Sequence, residues 1–109
     1  MGSFAIGSVV LIPFPYADFS KFKKRPALVV GLAEFDNLIL CQITSKAETS
    51  KTAIQLLDVD FLKGSLSLIS YVRPDKLFTI EQSVIEGQIG LLKDSKIKFI
   101  RSSVKQLFS

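Results

Sequence analysis

Of the chain's fourteen basic residues only three are arginines, Arg25, Arg73 and Arg101, and two of these stand where a fixed cation could do chemistry. Arg25 ends the run Lys21-Phe22-Lys23-Lys24-Arg25 and precedes an apolar segment, so a strand can hold its guanidinium and aim it. A planar guanidinium grips a phosphate through two parallel hydrogen bonds, which an ammonium cannot do. Arg73 lies two residues from Asp75 across Pro74, placing a cation and a carboxylate together at a strand end. Thr44 and Ser45 close another apolar segment, where hydroxyls and backbone N–H groups can meet a phosphate oxygen. Each observation also has a plainer reading. Arg25 could be a surface residue paired with a carboxylate, and hydroxyls at a strand end often only satisfy turn backbone. Arg73 and Asp75 could form a local ion pair of small energetic weight. An aspartate is also a poor base near neutrality unless burial raises its pKa, and an arginine rarely gives up its proton.

Composition narrows the field. A net charge of +4 and a pI near 9.3 suit a polyanionic partner without requiring one. Lys21, Lys23 and Lys24 read equally as a phosphate-binding patch or as a solvated loop. Phe14, Tyr16, Phe19 and Phe22 could offer stacking faces to unpaired bases, although at least two of them are expected in the core. There is no histidine, which removes the commonest general acid/base and the commonest zinc ligand. No metal site and no cofactor is therefore expected, and neither Gly-rich phosphate loop occurs. The single cysteine, Cys41, lies in the run Leu38-Ile39-Leu40-Cys41 and reads as a buried thiol in a reducing compartment. No stretch approaches a membrane span and the N-terminus does not resemble a secretory signal, so a cytoplasmic address is expected.

The elements that must position these residues are short. Residues 1–109 fit one domain, with strands expected over 7–14, 27–31, 38–44, 54–56, 67–73, 76–80 and 84–89. Pro26 is expected to close the basic loop and Pro74 to break a strand. Residues 58–62 read as a helical turn ended by Gly64. From Ser95 the period changes, with Ile97, Ile100, Val104, Leu107 and Phe108 at helical spacing and Asp94 or Ser95 as cap. Six or seven short strands and a C-terminal amphipathic helix indicate a mainly β fold, a small SH3-like barrel.

The order of segments goes further than any one of them. Gly7-Ser8-Val9-Val10-Leu11-Ile12-Pro13-Phe14, then Lys24-Arg25-Pro26-Ala27-Leu28-Val29-Val30, then Ile43-Thr44-Ser45 resembles the PemK/MazF toxins of type II toxin–antitoxin systems. Ser70-Tyr71-Val72-Arg73-Pro74-Asp75-Lys76-Leu77 and Ile89-Gly90-Leu91-Leu92 continue the resemblance, from Gly7 to about Leu107. It implies a toxin endoribonuclease that cleaves single-stranded mRNA without metal, by attack of a ribose 2′-OH on the neighbouring phosphate. Arg25, Thr44, Arg73 and Asp75 would be catalytic; Lys21, Lys23, Lys24, Ser45 and Tyr16 would bind RNA. It also implies a homodimer and a cognate antitoxin whose flexible acidic segment covers the basic site, the pair binding DNA together. Three features depart from the family: Ser8 replaces a common acidic residue, Tyr71 stands where a different polar residue is usual, and a loop histidine is lacking. The general base is thus left open. The alternatives are a non-catalytic gyrase poison on the same barrel, against which the lack of tryptophan argues, and an inactive homologue that only binds.

Overall fold

The computed structural model describes residues 4–15, 22–46 and 51–109. Seven strands form one antiparallel sheet: β1 (Ser8–Pro15), β2 (Phe22–Leu32), β3 (Asn37–Thr44), β4 (Ile54–Leu56), β5 (Phe61–Gly64), β6 (Ser70–Glu81) and β7 (Gly87–Leu92). Their order across the sheet is β4-β6-β3-β2-β1-β7-β5. The sheet curls into a half-barrel, and helix α1 (Asp94–Gln106) packs into its concave side. This is the mainly β architecture with a C-terminal helix that the periodicity predicts.

Alternation along the strands sorts side chains onto two faces. The inner face carries Val9, Leu28, Val30, Cys41, Ile43 and Val72, and the helix lays Ile97, Ile100 and Val104 over them. Gly7, with φ +99°, allows this approach: a Cβ there would sit 2.2 Å from Ile97 Cδ1. The outer face carries Val10, Ala27, Val29, Leu38 and Leu40, covered in part by Phe4, Phe78, Ile80 and Ile85. The buried reading of Cys41 holds, and burial pushes its thiol up to about 12, helped by the charge of Asp75.

Several sequence expectations are corrected. Lys23, Lys24 and Arg25 are not loop residues but part of β2, because the β1–β2 hairpin extends to the pair Pro15–Phe22. Pro26 lies inside that strand. The ladder to β3 begins only at Ala27, and a proline is tolerated where one side of a strand is unpaired. Pro74 does not break its strand either: β6 runs through it from Ser70 to Glu81. Cys41 faces Leu77 while Gln42 faces Arg73, so Pro74, Asp75 and Lys76 bulge out of the β3–β6 ladder. The helical turn is only Asp58–Asp60, and Phe61–Gly64 instead pairs with β7. Helix α1 starts at Asp94 after Lys93, with no side-chain cap; Lys96 pairs with Asp60 at 3.3 Å near its first turn.

The β2–β3 connection is a tight hairpin turn, Glu34 to Asn37, in which Phe35 and Asp36 have φ of 62° and 60°. Two positive φ values in succession are those of a type I′ turn, and Asn37 secures it by donating its side-chain amide to the Glu34 carbonyl.

Candidate active site

The outer face changes character along its length. Its apolar half ends at Ala27 and Leu40, and the next outward positions on three neighbouring strands are polar. Ala27 pairs with Gln42, and Gln42 pairs with Arg73. One step further, Thr44 pairs with Tyr71, while Arg25, across from the outward Ile12, takes the same face of β2. Arg25, Thr44 and Arg73, far apart in sequence, therefore share one end of one face. Adjacent strands are ~4.8 Å apart, so β2 and β6 are roughly 10 Å apart, a gap that two arginine side chains can close from both sides.

Each side chain is held by its surroundings. Asp75 follows Pro74 on the bulge and turns back to accept two hydrogen bonds from Arg73, at 3.1 Å to Nε and 2.9 Å to Nη2. That bond lifts the Arg73 guanidinium further above its ordinary value and holds the Asp75 carboxyl below the usual carboxylate range, outweighing desolvation. Burial therefore does not turn Asp75 into a base; while the pair is closed it is a weaker one. Thr44 Oγ1 accepts the Lys46 backbone N–H at 3.1 Å, the turn-satisfying role expected of such a hydroxyl. Its own proton remains available to a ligand oxygen.

The lysines divide. Lys23 is exposed and shares the outward side of β2 with Arg25, whereas alternation turns Lys24 away and its ammonium meets Glu86 at 2.9 Å. Ser45 is exposed in the bend after β3. Tyr16, Phe19 and Lys21 lie outside the described residues. Ser8, at the start of β1, is four residues from Ile12, about 13 Å along the strand, so that departure falls away from the polar cluster. Tyr71 lies within it. Sequence reasoning missed Gln42 and Lys76. The signal for Gln42 was present, since it is the one polar side chain within the apolar stretch Leu38–Ile43.

Among the described residues no group of three or more His, Cys, Asp or Glu side chains could hold a metal ion, and no helix is long and apolar enough to cross a membrane. The model of PemK-like, MazF-like toxins of type II toxin–antitoxin systems matches residues 5–108. The chain belongs to this family. No curated protein matches it. Among solved structures, an endoribonuclease from a mycobacterial species, in complex with its cognate antitoxin, is similar at 15% identity and TM-score 0.75, covering 99% of this chain and 95% of that one. MazE–MazF from Deinococcus radiodurans is similar at 19% identity and TM-score 0.75, covering 99% and 97%. The Mycobacterium tuberculosis toxin MazF-mt6 reaches 20% identity and TM-score 0.64, covering 91% and 95%. At these identities the structures speak for the fold of this PemK/MazF member. The matched stretch includes Arg25, Thr44, Arg73 and Asp75.

Proposed function

We propose that this PemK/MazF member is a toxin endoribonuclease that cuts single-stranded mRNA in the cytoplasm without a metal ion. The observation that carries the reading is the convergence of Arg25, Thr44 and Arg73 on one end of the outer sheet face. In the proposed reaction the ribose O2′ loses its proton to a base and bonds to the adjacent phosphorus. The P–O5′ bond then breaks and O5′ takes up a proton, leaving a 2′,3′-cyclic phosphate and a 5′-hydroxyl. Charge accumulates on the non-bridging oxygens at the crowded phosphorus, where fixed donors contribute most. Arg25 supplies two such donors and the Thr44 hydroxyl a third. A phosphate that displaces Asp75 from Arg73 removes the hydrogen bond that depresses the carboxyl, and the released carboxylate is then a candidate proton acceptor. Lys23 and Ser45 extend the contact along the RNA backbone.

The partners follow the same surfaces. A flexible acidic segment of a cognate antitoxin would lie over the Lys23–Arg25–Arg73 end and compete with RNA for it. A second copy would dock beside it. Phe99, Leu107 and Phe108 are exposed apolar groups on and just beyond α1, and Phe99 and Leu107 line a hollow whose other wall includes Ile54 and Pro74, next to Arg73. A dimer through this surface brings two polar faces toward one groove.

The test is cleavage of single-stranded RNA by purified wild type beside Arg25→Ala, in EDTA, with product ends mapped. Wild type alone is expected to cut and to leave cyclic phosphates. A folded, antitoxin-free wild type that leaves a broad RNA pool intact sinks the enzyme reading and favours a non-catalytic binder on the same fold.

A further inference from the structure

Beside the cationic end, the outer face holds a hollow of about 400 Å³ between β1 and the β3–β6 pair. Its walls include Ile12 and Pro13 on one side and Gln42, Lys76, Phe78 and Ile80 on the other. Val10, Ala27, Gln42 and Arg73 form a single row across four strands, and in that row Ala27 contributes only a methyl. The hollow is therefore apolar, aromatic on one side and adjacent to Arg73. One uncharged polar side chain stands in this lining: the half-buried Gln42. An amide on the wall of an apolar hollow offers a ligand a donor and an acceptor side by side.

We infer that this hollow is a subsite for one unstacked nucleobase of the RNA, with Gln42 as the residue that reads its edge; this rests on the RNA-cleaving reading above. The three demands of the hollow are a flat apolar body, a donor and acceptor side by side, and an attached anion. A nucleotide meets all three. The base lies against Phe78 and Pro13, its edge meets the Gln42 amide, and its phosphate is shared between Lys76 and Arg73. Single-stranded RNA is read in this manner, by stacking and by hydrogen bonds to exposed base edges. A glutamine amide accepts from the N6 amino group of adenine and donates to N7, so adenine is the assigned base. Phe78 and Lys76 flank the site from the same strand that carries Arg73 and Asp75, so base reading and phosphate contact are mechanically joined through the β6 bulge.

Two measurements test it. Cleavage sites from a transcript pool are mapped for wild type, Gln42→Leu and Gln42→Glu. Wild type is expected to show adenine at one fixed position beside the cut. Gln42→Leu lowers the preference ratio for that base roughly 10- to 100-fold, the weight of one two-bond contact. Gln42→Glu moves the preference toward cytosine, whose amino group donates to a carboxylate. If a variant fails to fold, Gln42→Asn retains the amide but withdraws it by one methylene and reads the same ratio. Identical site preferences in all folded variants overturn the subsite while leaving the ribonuclease reading intact. Independently of cleavage, adenosine monophosphate is titrated into wild type and the Gln42 side-chain amide signals are followed by NMR. Shifts larger than those from cytidine monophosphate support the subsite even if the protein cuts nothing. No shift with adenosine monophosphate overturns it even if the protein cuts RNA.

Discussion

The two faces of the sheet are made by the same strands and often by adjacent residues, yet they have opposite fates. On β2, Leu28 and Val30 point inward and disappear under α1, while Arg25, Ala27 and Val29 point outward. On β3, Cys41 and Ile43 point inward, while Gln42 and Thr44 point outward. Under the helix the inner face is apolar, because a polar side chain buried there needs a partner. Ser70, buried at the start of β6, meets that demand by donating to the Leu68 carbonyl. Among the described residues, the outer face is covered over its first half by Phe4, Phe78, Ile80 and Ile85. Beyond that cover the outward positions become Arg25, Gln42, Thr44 and Arg73. What separates core from candidate site on a given strand is thus the presence of a covering element, not the strand itself.

The largest expected effect breaks this contrast from the inner side. Leu28 is fully buried under the helix, and Leu28→Ala should lower unfolding free energy by about 2–5 kcal/mol in urea titrations. A loss under about 1 kcal/mol would mean that α1 does not seal the inner face as described. Its outer-face counterpart should behave in the reverse way. Arg25→Ala is expected to reduce RNA cleavage about 10²- to 10³-fold, the effect of losing a fixed oxyanion donor, with unfolding free energy lowered by about 0.5–1.5 kcal/mol because the side chain is half-buried and engaged with a neighbour. Equal damage to folding and cleavage would remove the distinction between the faces at this position.

Asp75→Asn sharpens the comparison within the outer face. The Asp75 carboxyl is held low by Arg73, so the pair contributes stability above the unfolded carboxylate pKa and loses it as pH falls through the depressed folded value. The variant should flatten that acid limb in a series of melting temperatures against pH. An unchanged limb would show that the pair does not persist in solution. The smallest effect is expected at the tip of the β2–β3 hairpin. Phe35 has φ 62° and is 88% exposed, so Phe35→Gly relieves a strained backbone without emptying any core. Thermal unfolding should show a gain of about 0.5–1 kcal/mol; a loss would indicate that the ring packs against something in solution.

The sequence was most legible where periodicity is enforced by burial. Ile97, Ile100 and Val104 announced a helix because only a 3.6-residue repeat puts them on one side, and all three reach the core. The run Leu38–Ile43 announced a strand differently, as a short continuous apolar segment, and side chains on both of its faces are buried. Reading failed at the prolines and at the basic run. Pro26 and Pro74 look like stops, but one sits where its strand is unpaired on one side and the other in a bulge, and neither condition is written locally. Lys23, Lys24 and Arg25 look like loop because their solvated side chains carry no apolar alternation, while pairing with β1 keeps them in a strand.

The residue types able to act on a phosphate were likewise present in the chain alone: Arg25, Thr44, Arg73 and Asp75 could be named from their chemistry and from the family's order of segments. Only the tertiary structure placed them. Register across β2, β3 and β6 brought three of them to one face, and that register is set by turn geometry and by which face the helix covers. The same register turned Lys24 toward Glu86 and placed Gln42 on the wall of an apolar hollow. A strand's own sequence states which side chains alternate. Which side meets solvent depends on what the rest of the chain lays across it.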